Sequence, residues 1–524
     1  MKKILVSEEL ADEGIQILRD HGYEVHMEPT ISHEELIAAI PAYDALIVRS
    51  ATSVDANVIA AGTSLKVIGR AGVGIDNIDV AAATERGIVV CNAPTSNIVS
   101  AAEQAMALML SAARNTAAAD HSMKEHIWDR GRFVGRELYE KTLAIIGLGR
   151  IGGLVAERAR AFGMKLVAYD PYCTTSRAES LGVALSDSLE GAIRNADFIT
   201  VHVPKNERTT GMFGSEQFKT MKDGAIVVNA SRGGIFNLEA LAAALSSGKV
   251  AACGIDAWED EPCLDSPVHG FDQATLTPHL GASTFEAQTR AATQIAQYVS
   301  AGLEGSIVPT AVNMTPIPPD VLNVVGPYVP ACKTMGSMLA QINGQVPKRL
   351  RISASGTLVG RDLSILIAGA LDGALEGADA GNVTPVNAEA VAHRFGIQVQ
   401  TSYAKEAGEY ASTVAIRTDD ACMACTIAEG DRAPRIVNLL GYKIDIMPQA
   451  HSLVFEYVDA PGRIGVIGTI LGEAGINITT MQIGTLVQKR EALVYMNVEE
   501  KVPDSVLQKL NDAIELKNLW YIRL

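Results

Sequence analysis

Nowhere in its 524 residues does the chain carry an apolar run approaching the roughly 20 residues that a membrane-spanning helix requires. A signal-peptide core is missing too, because the opening MKKILVSEEL places only three apolar residues after its two lysines before Glu8 and Glu9 interrupt. Positive charge is in deficit. Against 60 Asp plus Glu stand 44 Lys plus Arg, and the formal charge of −16 repels phosphate backbones and anionic lipid, which excludes nucleic acid and membrane surfaces as partners. Disulfide spacing is also lacking. Cys91, Cys173, Cys253, Cys263, Cys332, Cys422 and Cys425 are odd in number and scattered, so reduced thiols in a cytoplasmic chain are expected. Cys422 and Cys425 form a CxxC, which is redox-active or half a metal site in some proteins. No second CxxC or CxxH accompanies it, so the bland reading is favoured and no metal is expected. Small-molecule chemistry is what these absences leave.

The chain is long enough for about three or four domains. Short apolar runs alternate with helical stretches from the start: KKILVS, ALIVRS (45–50), LKVIGRAG (65–72) and GIVVCNAP (87–94). Such runs read as buried parallel strands with crossover helices. Ser100 and Glu103 make a capping-box pattern before a helix with Met106, Met109, Leu110 and Ala113 on one face, a stripe read as core. A second series follows: TLAIIG (142–147), KLVAYD (165–170), DFITVHVP (197–204), AIVVNAS (225–231), ACGIDAW (252–258) and ATLTPH (274–279). Strand and helix alternate throughout, the doubly wound pattern. MTPIPPDVLNVVGPYVP then carries five prolines and reads as a linker rather than a helix or central strand. Residues 320–450 are mixed α and β without a catalytic motif. From His451 the pattern β-α-β-β-α-β suggests a ferredoxin-like domain.

The strand TLAIIG runs straight into GLGRIG, a GxGxxG hexad built on Gly147, Gly149 and Gly152. The first glycine permits a tight turn, the second lets backbone approach a pyrophosphate, and the third lets helix pack against strand. Asp170 ends the next strand about twenty residues on, where a carboxylate accepts from both ribose hydroxyls and repels a 2′-phosphate. NAD is therefore the expected cofactor, in preference to NADP.

In open α/β sheets chemistry gathers beyond the carboxyl ends of the strands. Arg232 follows AIVVNAS, Glu261 lies past ACGIDAW, and His279 ends ATLTPH. Oxidising a 2-hydroxy acid with a nicotinamide needs a base, a cation for the carboxylate and an anion to hold the base, and these residues supply that set. Each has a duller reading as a surface cation, a helix-start anion or a packed histidine. His202, at the end of another strand, is placed as well as His279, which is preferred for its company.

GLGRIG, Asp170 in YDP, NASRGG (229–234), DAWEDEP (256–262) and TPHLGAST (277–284) occur in an order that resembles the D-isomer-specific 2-hydroxyacid dehydrogenases. VRSAT (48–52), VIGRAGVGIDNID (67–79) and WDRGRFVGREL (128–138) are similar to the phosphoglycerate-oxidising branch of that family. EYVDAPGRIGVIGTILGEAGINI resembles the ACT amino-acid-sensing domain, and PVNAEAVAHRFGIQV (385–399) the intervening domain of that branch's long form. The resemblance implies an α/β chain in which a Rossmann nucleotide-binding domain (99–282) is inserted in a flavodoxin-like substrate domain (1–98 and 283–312). An α+β intervening domain (318–450) and a ferredoxin-like ACT domain (451–524) would follow.

By the same resemblance His279 is the acid/base, Glu261 its partner, and Arg232 the ligand of the substrate carboxylate. Arg49 and Arg70 would take the phosphate of 3-phosphoglycerate, with Arg130 reaching in from a neighbouring subunit and the backbone of Gly72 and Val73 orienting the carboxylate. Cofactor contacts fall on Gly147, Gly149, Arg150, Ile151, Gly152, Asp170, Val203, Ala230, Asp256, Gly281 and Ala282. Tyr457, Asp459 and Asn477 match positions that hold L-serine as a feedback effector. The resemblance further implies a homo-oligomer, at least a dimer and commonly a tetramer, and a side activity on 2-oxoglutarate. Two features depart from the family. Val73 and Val203 stand where some relatives have threonine, and GTLVQKREA (484–492) replaces a glycine-rich hairpin. Two other readings stay open, a glyoxylate or hydroxypyruvate reductase and a non-catalytic NAD-sensing corepressor.

Overall fold

Runs such as ALIV (Ala45–Val48) and AIVV, which opens strand Ala225–Asn229, are apolar at every position, not every second one, and all residues of both strands are buried. A strand of that kind is covered on both faces, which an all-parallel sheet with crossover helices provides. In the computed structural model the early runs form two such sheets. The first is ordered Glu24–Met27, Lys3–Val6, Ala45–Val48, Val67–Arg70, Val89–Asn92, the flavodoxin-like order. The second is ordered Ala274–Leu276, Val250–Ile255, Ala225–Asn229, Phe198–Val201, Thr142–Ile146, Lys165–Tyr169, Ala184–Leu185, a Rossmann sheet whose order reverses at Thr142–Ile146. Residues 307, 315–317, 379–383, 385, 405–407, 429–432 and 487–489 fall outside the described structure. They include residues near the start of the expected linker, the first residue of the PVNAEAV segment, and Val487, Gln488 and Lys489 of the GTLVQKREA hairpin.

The two sheets exchange chain twice. Helix Ile98–Arg114 leaves the first sheet and packs on the second, and helix Phe285–Leu303 returns to cover the first. The crossings are tied together: the Ser100 hydroxyl bonds that of Thr284 at 2.8 Å, and Arg290 Nε donates to the Ser96 carbonyl at 2.8 Å. This overturns the capping box expected at Ser100. The helix begins one turn earlier, with Asn97 at its cap, because Ser100 is recruited to Thr284 and Glu103 to Arg158 at 3.1 Å. The edge strands Glu24–Met27 and Ala184–Leu185 were not foreseen, since neither is buried enough to write a continuous apolar run.

The proline-rich stretch is also more ordered than a linker. Of its five prolines, Pro318 caps and Pro319 opens helix Pro319–Val325, Pro327 lies in the 3₁₀ turn Gly326–Tyr328, and Pro330 lies in the first turn of helix Val329–Asn343. There a missing N–H costs nothing, because no intrahelical partner exists for it.

Beyond lie a mixed sheet (Gln398–Ala404, Arg349–Ser355, Val414–Arg417, Cys422–Ile427, Pro434–Leu439, Tyr442–Ile446) and an antiparallel sheet (Ile478–Leu486, Glu491–Val498, His451–Val458, Asn518–Arg523). One face of the latter, with Leu453, Phe455 and Met496, covers helices Arg463–Glu473 and Asp504–Ile514. The other, with Val454, Leu493, Tyr495 and Ile522, belongs to the same core as Met335, Leu339 and Tyr442 of the preceding unit. Strand EALVYMNV is therefore buried along nearly its whole length, although an antiparallel strand with one wet face alternates. Each fully buried Leu or Val at this seam stabilises it by about 1.5–3 kcal/mol.

Candidate active site

The glycine hexad closes the strand at which the second sheet reverses. Gly147 has φ +92, and a Cβ there would stand 2.6 Å from the His202 carbonyl, so the turn demands glycine. A Cβ at Gly152 would meet the Gly147 carbonyl at 2.0 Å, which fixes the close approach of helix Arg150–Ala161 to the strand. Gly149 caps that helix and faces open space, with nothing within 4 Å of a Cβ. Free backbone at a helix N-terminus is what a pyrophosphate needs. Asp170 lies beside the loop, its carboxylate accepting from the N–H groups of Leu148 (2.8 Å) and Tyr172 (2.9 Å). Arg150 is exposed at the helix start, Ile151 is half-buried behind it, and the Val203 side chain borders Gly147. The glycines, the open helix end and Asp170 fit a dinucleotide.

His279 and Glu261 come together as expected. Nδ1 of His279 stands 2.8 Å from both carboxylate oxygens of Glu261, and the two side chains are 44% and 40% exposed. The Trp258 N–H donates to Glu261 at 3.2 Å, and the Trp258 indole donates to the Thr277 carbonyl at 3.0 Å, so the two loops lock each other. His279 adopts φ +56, an unusual state for a residue with a side chain. Asp256 holds it there. Its fully buried carboxylate accepts from Leu280 N–H (2.7 Å), Gly281 N–H (2.9 Å) and the Thr277 hydroxyl (2.5 Å), with Gln104 adding a 3.3 Å bond. Asp256 thus organises the turn through Gly281 and Ala282, and Gln104, which the sequence reading passed over, assists it.

His202 is the histidine set aside. It is half-buried, its Nε2 bonds the Thr200 hydroxyl at 3.0 Å, and desolvation of the ring pushes its pKa down to about 4. It is a neutral packing residue.

Arg232 projects from the loop after Ala225–Asn229, beside the half-buried Ala230. A Cβ on the next residue, Gly233, would stand 1.8 Å from the Trp258 carbonyl, so this loop lies flat against the one bearing Glu261. From the opposite sheet the Gly72–Gly74 loop reaches between two guanidiniums: a Cβ on Gly74 would lie 3.2 Å from Arg232 Nη2 and 3.7 Å from Arg70 Nη1. Asp76 is the carboxylate nearest that point, at 2.9 Å, another residue the sequence reading missed. Val73 presents its carbonyl to Asn92 at 2.5 Å. Burial, and then the neighbouring Arg232, lower the Arg70 pKa from its ordinary value; Asp76 and Glu8 oppose this, and Arg49 adds to it. Arg70 Nε is buried without a hydrogen-bond partner. Three cations around an orphaned donor make an anion site. A cavity of about 340 Å³ opens beside it, lined by Arg49, Gly72, Ala282, Asn97 and Phe285 among others.

Arg130 does not join this group. It is exposed in a stretch that also exposes Ile127 (53%), Trp128 (76%) and Val134 (82%). In the last sheet, Tyr457 and Asp459 line one groove of about 410 Å³ with Pro461, Gly462 and Arg463, where burial and then Asp459 raise the Tyr457 pKa. Asn477 is exposed and does not line it. The CxxC lies on strand Cys422–Ile427, so its thiols point to opposite faces: Cys422 meets Asn438 at 3.8 Å, and Cys425 sits buried against Cys332. Among the described residues no cluster of three metal-ligating side chains occurs, and no helix is long and apolar enough to cross a membrane.

Comparison with known proteins places names beside these parts. Residues 106–281 match the family model "D-isomer specific 2-hydroxyacid dehydrogenase, NAD binding domain", residues 324–440 "D-3-phosphoglycerate dehydrogenase intervening domain", and residues 451–515 the ACT domain. A D-3-phosphoglycerate dehydrogenase of Mycobacterium bovis is 41% identical, covering 99% of this chain and 99% of its own length. One of Methanocaldococcus jannaschii is 39% identical over the full length of both. Among solved structures, a glyoxylate reductase from Paecilomyes thermophila aligns with 59% of this chain and 98% of its own, at 28% identity and a TM-score of 0.54.

Proposed function

Because the chain belongs to the D-3-phosphoglycerate dehydrogenase family of NAD-dependent 2-hydroxyacid dehydrogenases, we propose that it oxidises 3-phospho-D-glycerate to 3-phosphohydroxypyruvate, the step that commits carbon to L-serine. The observation that carries this reading is the joint presence of the Glu261–His279 pair and the Arg49–Arg70–Arg232 cluster at one cleft. NAD supplies the hydride acceptor when bound on Gly147–Gly152 and Asp170. Arg232 holds the substrate carboxylate, assisted by the backbone at Gly72 and Val73. Glu261 fixes His279 through Nδ1, which leaves Nε2 to take the hydroxyl proton at C2 and return it in the reverse direction. Arg49 and Arg70 hold the phosphate. A reductase of glyoxylate or hydroxypyruvate, each with a single anionic group, has no use for two further guanidiniums, and a non-catalytic NAD sensor has none for a Glu–His pair.

In this reading residues 1–98 and 283–312 form the substrate domain, 99–282 the nucleotide domain, 318–450 the intervening domain and 451–524 the ACT domain. The first two close over substrate about the paired crossings. Arg130 completes the site of a second copy, and the exposed Ile127, Trp128 and Val134 around it supply the contact of a dimer within a tetramer. L-Serine feeds back at the groove of Tyr457 and Asp459, with Asp459 pairing its ammonium and Asn477 reaching it from a neighbouring ACT domain. The reverse reaction extends to 2-oxoglutarate, whose carboxylates suit the same arginines.

The decisive assay follows NADH absorbance with 3-phosphoglycerate and 3-phosphohydroxypyruvate, with and without L-serine. Tight NAD binding with no turnover in either direction would refute the enzyme reading. Unchanged rates with serine, or equal sensitivity in wild type and Asp459→Ala, would remove the effector site.

A further inference from the structure

Two neighbouring strands of the first sheet, Lys3–Val6 and Ala45–Val48, end in loops that are joined more closely than sheet pairing requires. Glu8 Oε1 accepts from the N–H groups of Arg49 (2.8 Å) and Thr52 (3.0 Å), and Oε2 accepts from Ala51 N–H (3.2 Å). Ser7 and Thr52 share a hydroxyl contact at 2.9 Å, and the Glu9 carbonyl accepts from Arg49 Nη1 at 3.2 Å. On the other side, Asn77 Nδ2 donates to the carbonyls of Arg49 (2.8 Å) and Thr52 (2.6 Å). One carboxylate thus gathers the donors of residues 49–52 while one amide gathers their acceptors. The Arg49 guanidinium thus leaves from a fixed backbone, and its Nη1 bond to the Glu9 carbonyl sets its direction.

As a charge, Glu8 is in the wrong place. It faces Arg70 closely enough to oppose that residue's loss of charge, so it competes with any anion the arginines are meant to hold. Were charge its whole effect, its removal would tighten anion binding. Its geometry argues the reverse, because three backbone donors converging on a carboxylate hold a loop more firmly than the same donors on a neutral acceptor would.

We propose that Glu8 and Asn77 are positioning residues that clamp the Arg49–Thr52 loop and aim Arg49 at the phosphate of the substrate. The proposal rests on the reading of Arg49 as a phosphate ligand, and its test separates the two. In the full chain, kcat and KM are measured for 3-phosphoglycerate and for unphosphorylated D-glycerate in wild type, Glu8→Gln, Asn77→Ala and Arg49→Ala, with thermal unfolding of each alongside. Glutamine keeps the shape of glutamate but turns an N–H toward the loop's own N–H groups. Glu8→Gln should raise KM for 3-phosphoglycerate about tenfold with kcat within about twofold, and lower the preference for the phosphorylated acid. Asn77→Ala should move both in the same direction, which keeps the test intact if Glu8→Gln folds poorly. A KM that is unchanged or lowered in both variants, while Arg49→Ala still loses phosphate preference, overturns the clamp alone. If Arg49→Ala keeps the wild-type preference, the phosphate reading falls and the clamp with it.

Discussion

The two parallel sheets of residues 1–312 each keep their own cores and meet through loops and two covalent crossings. The mixed and antiparallel sheets that follow share one core across their boundary. A seam of loops can open without exposing apolar surface, whereas separating the second pair would unbury Val454, Leu493, Tyr495 and Ile522. The side chains proposed as catalytic therefore stand on the seam of loops, and the groove of Tyr457 and Asp459 stands on the pair that shares a core.

The largest effect expected from breaking this contrast lies at the loop seam. His279→Ala should lower turnover about 10³-fold while NAD affinity and the melting temperature stay at wild-type values, read by single-turnover NADH formation, a nucleotide titration and calorimetry. Leu493→Ala should do the opposite: basal turnover persists, but the C-terminal transition loses about 3 kcal/mol and the intervening and ACT regions still melt together. Two separate C-terminal transitions would show that the shared core does not couple them.

Mild acid should act on the second parallel sheet through His202, which follows strand Phe198–Val201. An unfolded imidazole titrates near 6.5, while burial holds this one at about 4. Between those values the unfolded chain binds a proton that the folded chain does not, so stability falls as pH falls, by about 2 kcal/mol from pH 7 to pH 5. His202→Asn should remove that pH dependence in denaturant titrations at the two pH values. The smallest effect is expected at Asp170→Ala, which should weaken NAD about tenfold and narrow the preference over NADP.

The two parallel sheets could be read from the chain because a strand buried on both faces writes an unbroken apolar run, and the glycine hexad because each glycine answers a separate steric demand. Arg232, Glu261 and His279 were legible from their positions at strand ends. Glu8 was not, although it follows a strand by the same rule: in sequence it appears only as the charge that ends an apolar start, and its partners lie 41 to 44 residues away. Ser100 misled for the same reason in reverse, since a local capping pattern cannot reveal a hydroxyl 184 residues distant. The prolines of residues 316–330 were read as breakers because the number of short helices they could begin is invisible in composition. The continuous run EALVYMNV carried the one clue to the shared core, an antiparallel strand with no wet face.

The bond between Ser100 and Thr284 limits how the cleft can move. Two crossings that run independently let the bodies slide against each other; a bond between the crossings removes that slide and centres rotation beside Ser100 and Thr284. In the proposed closure the arginines of one sheet approach His279 of the other by rotation about that shared place.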